Sequence, residues 1–549
     1  MSVELALAVV GAADLCLKYV VLRGYLILKL IGGNIRYGKA LVELYHDLKT
    51  ADSSIRERMT FIEATWYRTE KQVEFVRRVA HTMSVDHCRI HIDVLETLKA
   101  KLLVAITKIG PLAESWNSKG SLASGFTKLK YAFVRESLDK TLTELEKWRD
   151  VFDPTWYLII LNKSDIIDSE LREEAIMSPQ TSTGASSSAL ATVRNIRRTI
   201  GGSSTPDTHV TLNEAGLNWE TSKDIRHSTT KTVWRTRSEK LFLVDTIVCS
   251  SDLDVPRARA DAERLAMKLK QVDPKTFGLL NCQGIIKRKD SATGRLVSIH
   301  LVFRLQPRDA DAISLREELL RGNSFSLTTV LGLARRLAMA VSFVHTCGFV
   351  HKNIRPETIL LFPAHINAKD RVYALGSAYL MGFDRFRSAS FQTLRTGDAS
   401  WERNLYRHPR RQGIHMHEDY VMQHDVYALG VCLLEIGLWN SFVIETGGEK
   451  QVMTPSSLFQ FDLSNESFLA DETLQFGYAV KDNLVRLAKE RLPQRMGDLY
   501  TAAVITCLTC LDEGNEDFGN EEDMRDEDGV LIGVRFIEKV VFKLAEISF

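Results

Sequence analysis

Val344-His345-Thr346-Cys347-Gly348-Phe349-Val350-His351-Lys352-Asn353-Ile354-Arg355-Pro356-Glu357-Thr358-Ile359-Leu360-Leu361 is the most informative stretch of this chain. It follows a helical run that begins after Ser326, and it sets a polar loop between two apolar runs. The side chains limit what the loop can do. The amide of Asn353 can orient a neighbouring group but is not a competent base. Thr358 offers one neutral hydroxyl, a weak ligand for a hard cation.

Three further stretches share the same order along the chain: Tyr379-Leu380-Met381-Gly382-Phe383-Asp384, Leu405-Tyr406-Arg407-His408-Pro409-Arg410, and the apolar run His424-Asp425-Val426-Tyr427-Ala428-Leu429-Gly430-Val431-Cys432-Leu433-Leu434-Glu435. Together the four resemble the catalytic loop, D-F-G, A-P-E and D-x-[WY]-[SA]-x-G segments of protein kinases. The resemblance places His351 at the loop His, Lys352 at the Arg, Asn353 at the catalytic Asp and Thr358 at the magnesium-holding Asn. Gly382 then stands where the metal-binding Asp would be, with Phe383 beside it and Asp384 two residues late. Pro409 matches the A-P-E proline, and Arg410 replaces its Glu, so the usual ion pair there cannot form in its usual sense. Asp425 and Gly430 are expected to be structural, Asp425 bonding to catalytic-loop backbone.

The resemblance extends over roughly residues 209–549, with an N-lobe at about 209–308 and a C-lobe at about 309–549. Its specific motifs lie only between Leu327 and Trp439. No G-x-G-x-x-G precedes the first strands, so no loop is visibly built to cradle phosphates. Leu241 to Thr246 reads as the third strand and lacks a Lys at the expected place, Lys240 being too early. Glu263 on the next helix therefore reads as an exposed helix charge. The devices for metal and phosphate are missing together. This implies a pseudokinase rather than an enzyme, with no cofactor expected and metal-independent ATP binding left open.

The first 175 residues carry a different pattern. Apolar residues recur at three- and four-residue spacing in several runs amid Glu, Lys and Arg, the signature of an all-α bundle. Leu5 to Ile31 is strongly apolar, but Asp14, Lys18, Arg23 and Lys29 interrupt it, so it suits neither a secretory signal nor a resident span of about 20 residues. A break is expected near Gly24 or Gly32-Gly33. Residues 176–208, rich in Ser, Thr and Gly, read as a linker. The fold expected is therefore multidomain: a helical bundle (1–175), a linker (176–208) and an α+β bilobal kinase-like domain (209–549).

Composition agrees with soluble domains. Hydrophobic residues make up 45% and charged residues 26% of 549, which calls for more than one core. A net charge of +1 gives no reason to expect nucleic acid as a partner. The eight cysteines have no disulfide spacing, and the one C-x-x-C, Cys507 and Cys510, reads as helical core in a reducing cytoplasm, with no metal site expected. The acidic run from Asp512 to Asp528 reads as a solvated loop before a last helix.

Bundle, linker and kinase-like domain in this order resemble fungal proteins with a HeLo (prion-inhibition and propagation) domain, a family tied to heterokaryon incompatibility, and more distantly the mixed-lineage-kinase-domain-like executioners of necroptosis. That resemblance implies signalling or programmed cell death, with the bundle released from its attached domain onto an anionic membrane. Leu5, Val9, Leu15, Lys18, Val20, Arg23 and Lys29 are then the membrane-contact candidates. A regulatory protein partner, homo-oligomers and a cytoplasmic location with plasma-membrane association on activation follow from the same resemblance. A scaffold that never meets lipid and an atypical active kinase are the alternatives.

Overall fold

The computed structural model describes residues 24–44, 53–117, 126–177 and 189–200. Within 210–548 it describes all but 239, 250–254, 306–311, 365–373, 389–396, 415–417, 447–451, 460–462, 465, 469–472 and 519–529. The chain divides into two compact units, Met1–Arg194 and Asn195–Phe549.

Every described element of the first unit is helical, with short connections between: α1 (24–44), α2 (Ser53–Val79), α3 (Val85–Asn117), α4 (Phe126–Tyr157) and α5 (Asp165–Met177). Helix α1 runs unbroken through Gly32-Gly33, one of the two expected break points; the other, Gly24, stands at the edge of the described residues. Ile27, Leu30, Ile31 and Leu41 fall on one face and are buried, and that packing outweighs the helix cost of two glycines, about 1 kcal/mol each. Gly38 is required in the same helix, because a Cβ there would lie 1.9 Å from the Trp66 ring of α2. Asn34 donates to the carbonyl of Leu95 at 2.9 Å and ties α1 to α3. Arg68 of α2 reaches buried Asp153 of α4 at 2.9 Å.

Helix α6 (Ala189–Ile200) lies inside the stretch expected to be a plain tether. Leu190, Val193 and Ile196 are buried at helical spacing, a local signal that the surrounding Ser, Thr and Gly had masked.

The second unit opens with a five-stranded antiparallel sheet: β1 (Leu217–Asp224), β2 (Lys231–Arg235), β3 (Leu241–Val248), β4 (Cys282–Lys289) and β5 (Leu296–Arg304), in the spatial order β1-β2-β3-β5-β4. Leu217, Val233, Phe242, Val244, Ile286 and Val302 form a core on it. Helix α7 (Val255–Leu269) enters between β3 and β4 and packs on β4 and β5, and the short α8 (Pro274–Phe277) follows.

The rest of the unit is mainly helical. In chain order come β6 (Ile313–Ser314), α9 (Leu315–Arg321), α10 (Leu327–Thr346), β7 (Phe349–Val350), β8 (Ile359–Ala364), β9 (Ala374–Leu380), β10 (Arg387–Ser388) and α11 (Trp401–Asn404). They are followed by α12 (Met422–Leu438), β11 (Val443–Thr446), β12 (Val452–Pro455), α13 (Thr473–Leu508), α14 (Val530–Phe536) and α15 (Phe542–Glu546). Every residue of α12 is buried, the polar Gln423, His424, Asp425 and Glu435 included. Among the described helices α10 alone is long and apolar enough to cross a membrane, but 61% of its apolar window is buried and it serves as core. Gly430 lets α12 meet α13, since a Cβ there would sit 2.7 Å from that of Cys507. Cys507 and Cys510 are buried free thiols.

The acidic run is partly anchored. Asp512 accepts from buried Lys481 at 2.6 Å, and Asp517 bonds Thr506, Lys539 and Lys543, so its first third is not merely solvated.

Candidate functional site

The polar loop of the opening stretch is held from below by one carboxylate. Helix α10 starts at Ser326, whose hydroxyl accepts from the Thr329 N–H, and ends where Gly348 turns the chain at φ +75°. The chain then passes over the N-terminal turn of α12. There Asp425 accepts the N–H groups of His351 (2.7 Å) and Lys352 (2.9 Å), the hydroxyl of Tyr420 (2.6 Å) and the Nε2 of His345 (3.0 Å). Burial pushes its carboxyl up, but the bond and charge of His345 with the other donors hold it below the usual range. Asp425 thus ties the backbone of this loop to the start of α12.

The upper face of the loop is spoken for as well. Asn353 donates from Nδ2 to Asp384 at 2.6 Å and accepts from Arg355 Nε at 2.9 Å. Thr358 Oγ1 lies 2.8 Å from the carbonyl of Asn353 and 2.9 Å from that of Arg355, and accepts from the Arg355 N–H. Its one hydrogen and one of its lone pairs are used in closing the loop. Gly382 sits at φ +84°, and a Cβ there would lie 2.2 Å from Thr358 Cγ2. The glycine and the threonine are therefore complementary: the methyl of one fills the space left by the other.

Asp384, read from the sequence as two residues late, does reach this loop through Asn353. Lys352, at φ +66°, places its ammonium 5.6 Å from the centre of the Tyr420 ring. Phe383 is buried against His351, ring centres 4.9 Å apart.

Asp245 was not singled out by sequence reasoning. It lies on β3, is buried, and its Oδ2 accepts the N–H groups of Gly382 (2.8 Å) and Phe383 (2.6 Å). Burial, and then the nearby Asp384 carboxylate, push its carboxyl up to about 7 against the pull of those bonds. The available signal was one acid in the middle of Leu-Phe-Leu-Val-Asp-Thr-Ile-Val, since a buried carboxylate needs donors.

Glu263 corrects the expectation of an exposed helix charge. It bonds Lys287 at 2.5 Å and Arg259 at 3.1 Å, with both Glu263 and Lys287 largely covered. Burial opposes ionisation of Glu263, but these two cations outweigh it and hold its carboxyl low. The lysine comes from β4 rather than from β3, where the kinase resemblance would place it.

Arg410 forms an ion pair of reversed sense, Nη1 lying 3.2 Å from Glu418, and donates from Nε to the Tyr478 hydroxyl. Pro409 opens the short turn 409–411. Beside it His408, Glu418 and His424 bring donor atoms within 4.8 Å of one another. Both rings accept backbone N–H bonds on Nδ1, from Val421 to His424 at 2.9 Å and from Arg410 to His408 at 3.4 Å. In the neutral rings Nε2 then carries the hydrogen, and His424 donates it to Glu418 at 2.7 Å. Burial, and then His424, keep His408 neutral by pushing it down to about 2. A cation would have to break the cap of α12 to bind here, so this is a hydrogen-bonded cluster rather than a ligand set.

Of the membrane-contact candidates, Leu5, Val9, Leu15, Lys18, Val20 and Arg23 lie outside the described residues. Lys29 is exposed on α1.

With this geometry in place, comparison with known proteins adds one finding. A third of the chain is similar to a protein kinase. The match is to the serine/threonine-protein kinase PknD of Mycobacterium tuberculosis, in strains CDC 1551 and H37Rv. It is 26% identical over 194 residues, 33% of this chain. The chain spans only 27% of the length of that relative. No family model matches the sequence.

Proposed function

We propose that the second unit is a bilobal kinase-like domain that signals by conformation, a pseudokinase, and that it restrains the N-terminal bundle. The observation that carries the first part is Asp245. In kinases a third-strand lysine attracts the nucleotide phosphates. Here the third strand instead carries a buried carboxylate, Asp245, which binds the Gly382-Phe383 backbone and lies near a second acid, Asp384, a pair that repels phosphate. The engaged hydroxyl of Thr358 and the absence of a side chain at Gly382 support the same reading. No cofactor is required by it. Full-length protein with Mg·ATP should show neither a thermal shift nor phosphate transfer to a general substrate. Transfer abolished by Asp384→Ala would overturn the reading in favour of an active kinase.

The second part, release of the bundle onto an anionic membrane from the cytoplasm, rests on the sequence resemblance and on α1. Tyr25 and Leu28 are exposed there (67% and 44%) beside exposed Lys29, a mixture suited to a headgroup boundary. Dye release from vesicles containing anionic lipid, with full-length protein and its Leu15→Glu/Val20→Glu variant, tests it. Leakage lost in the variant is the expected result. No leakage and no co-sedimentation would leave a protein-binding scaffold in its place.

A further inference from the structure

The bundle contains two buried histidines that none of the preceding chemistry uses. His87 and His91 are four residues apart on α3, so they share a face, and both are fully buried (1% and 0% exposed). Their ring centres are 4.9 Å apart. They form part of a seam in which α3 meets α4 in three rungs: the Nε2 of His87 lies 3.4 Å from the Thr155 carbonyl, His91 meets Phe152 edge-on at 6.3 Å, and the Val94 carbonyl accepts from Trp148 Nε1 at 2.9 Å. Trp148 stacks on Phe152 at 4.5 Å and completes an aromatic wall.

Among the described residues nothing in this seam stabilises a second proton on either ring. Both nitrogens of His91 are buried without a hydrogen-bond partner. The one carbonyl within reach of His87 is already matched by its single N–H. Asp153 on α4, the buried acid nearest in sequence to Phe152, is committed to Arg68 and Gln72 of α2. On α3 itself Asp86 and Asp93 pair with Arg89. The charged group that acts on His91 is His87, and it opposes protonation.

We propose that His87 and His91 form an acid-sensitive latch at the α3–α4 seam, whose protonation opens the helical bundle. The inference holds whatever the bundle acts on, and so is independent of the membrane reading above. The direction follows from linkage. Burial pushes His87 down to about 4 and His91 well below its usual value, whereas both return to about 6.5 when the seam is open. A base weakened by folding leaves stability intact above 6.5 and removes it as pH falls from 6.5 toward 4. At pH 5 each ring should raise the opening equilibrium by about 30-fold, and two imidazolium groups within contact would add their repulsion.

The test is hydrogen exchange of the full-length protein at pH 7.5 and 5.0, corrected for intrinsic rates and read on residues 85–111 and 132–157. Wild type should open this seam at least about 30-fold more at pH 5.0. His91→Leu and His87→Gln, which keeps a donor for Thr155, should each remove a factor of about 30 from that response. The second unit is an internal control: it has its own buried histidines, His300 and His408, so it will respond to acid equally in wild type and variants. An acid-insensitive seam in wild type, or an undiminished response in His87→Gln, would overturn the proposal. His87→Gln also carries the test if His91→Leu does not fold.

Discussion

Two buried carboxylates grip the loops around the candidate site, and their surroundings treat them oppositely. Asp425, on α12, receives four donors, one of them an imidazole, and is held below the usual carboxylate range despite burial. Asp245, on β3, receives the backbone of Gly382 and Phe383 and faces Asp384, and it is pushed up to about 7. Both bind two backbone N–H groups, so that contact does not separate them; Asp425 has two side-chain donors besides. The difference is the remaining charge: a cation-capable ring beside one, a second carboxylate beside the other. The first arrangement anchors a loop, and the second leaves a contact that titrates near neutrality.

The largest expected effect tests the anchor. Asp425→Ala should cost about 3–5 kcal/mol, because it strands two backbone N–H groups, a tyrosine and a histidine in the core. Urea unfolding of the second unit would show it as a lowered midpoint, and a loss under about 1 kcal/mol would mean that the loop has other supports.

A smaller effect is expected at the backbone that Asp245 binds. Gly382→Asp should destabilise by about 2–4 kcal/mol, through the clash with Thr358 and a left-handed φ. Thr358→Ser in the same chain removes the clashing methyl and should recover part of it. A double variant no better than the single one would break the complementarity argued for this pair. Scanning calorimetry of the two variants and wild type gives the comparison.

The smallest effect sharpens the contrast itself. A carboxyl raised by folding contributes fully below its unfolded value of 3.8, and its contribution is lost as pH rises toward about 7. Asp245→Asn keeps an oxygen for the two N–H groups and removes the charge. It should therefore match or exceed wild type at pH 8 by about 1–2 kcal/mol, with the gap closing toward pH 5. A thermal midpoint that falls by the same amount at both pH values would show that the carboxylate is bound as securely as Asp425.

Much of the site is legible in the residues alone. The polar loop, the neutral side chains at Asn353 and Thr358 and the bare Gly382 follow from residue chemistry over short distances, whereas the backbone bonds of Asp425 are an expectation drawn from the kinase resemblance. Pairings across the chain are what escape such a reading. Glu263 looks exposed when its lysine is sought on the neighbouring strand in sequence, whereas that lysine sits on β4. Asp384 looks displaced because counting residues along a strand does not show that Asn353 turns to meet it. Helix α6 is hidden by the composition around it, although its own apolar spacing is regular.

By itself the sequence determined the longer helices of both units, though not α6, together with the third strand and a loop chemistry poor in bases and metal ligands, because periodicity and side-chain type act over a few residues. Only the tertiary structure decided that Asp245 meets a backbone 137 residues away and that His87 and His91 face Thr155 and Phe152 across a dry seam. Burial and partner choice depend on which elements pack together, and those are the quantities that set a carboxyl near 7 or hold an imidazole neutral.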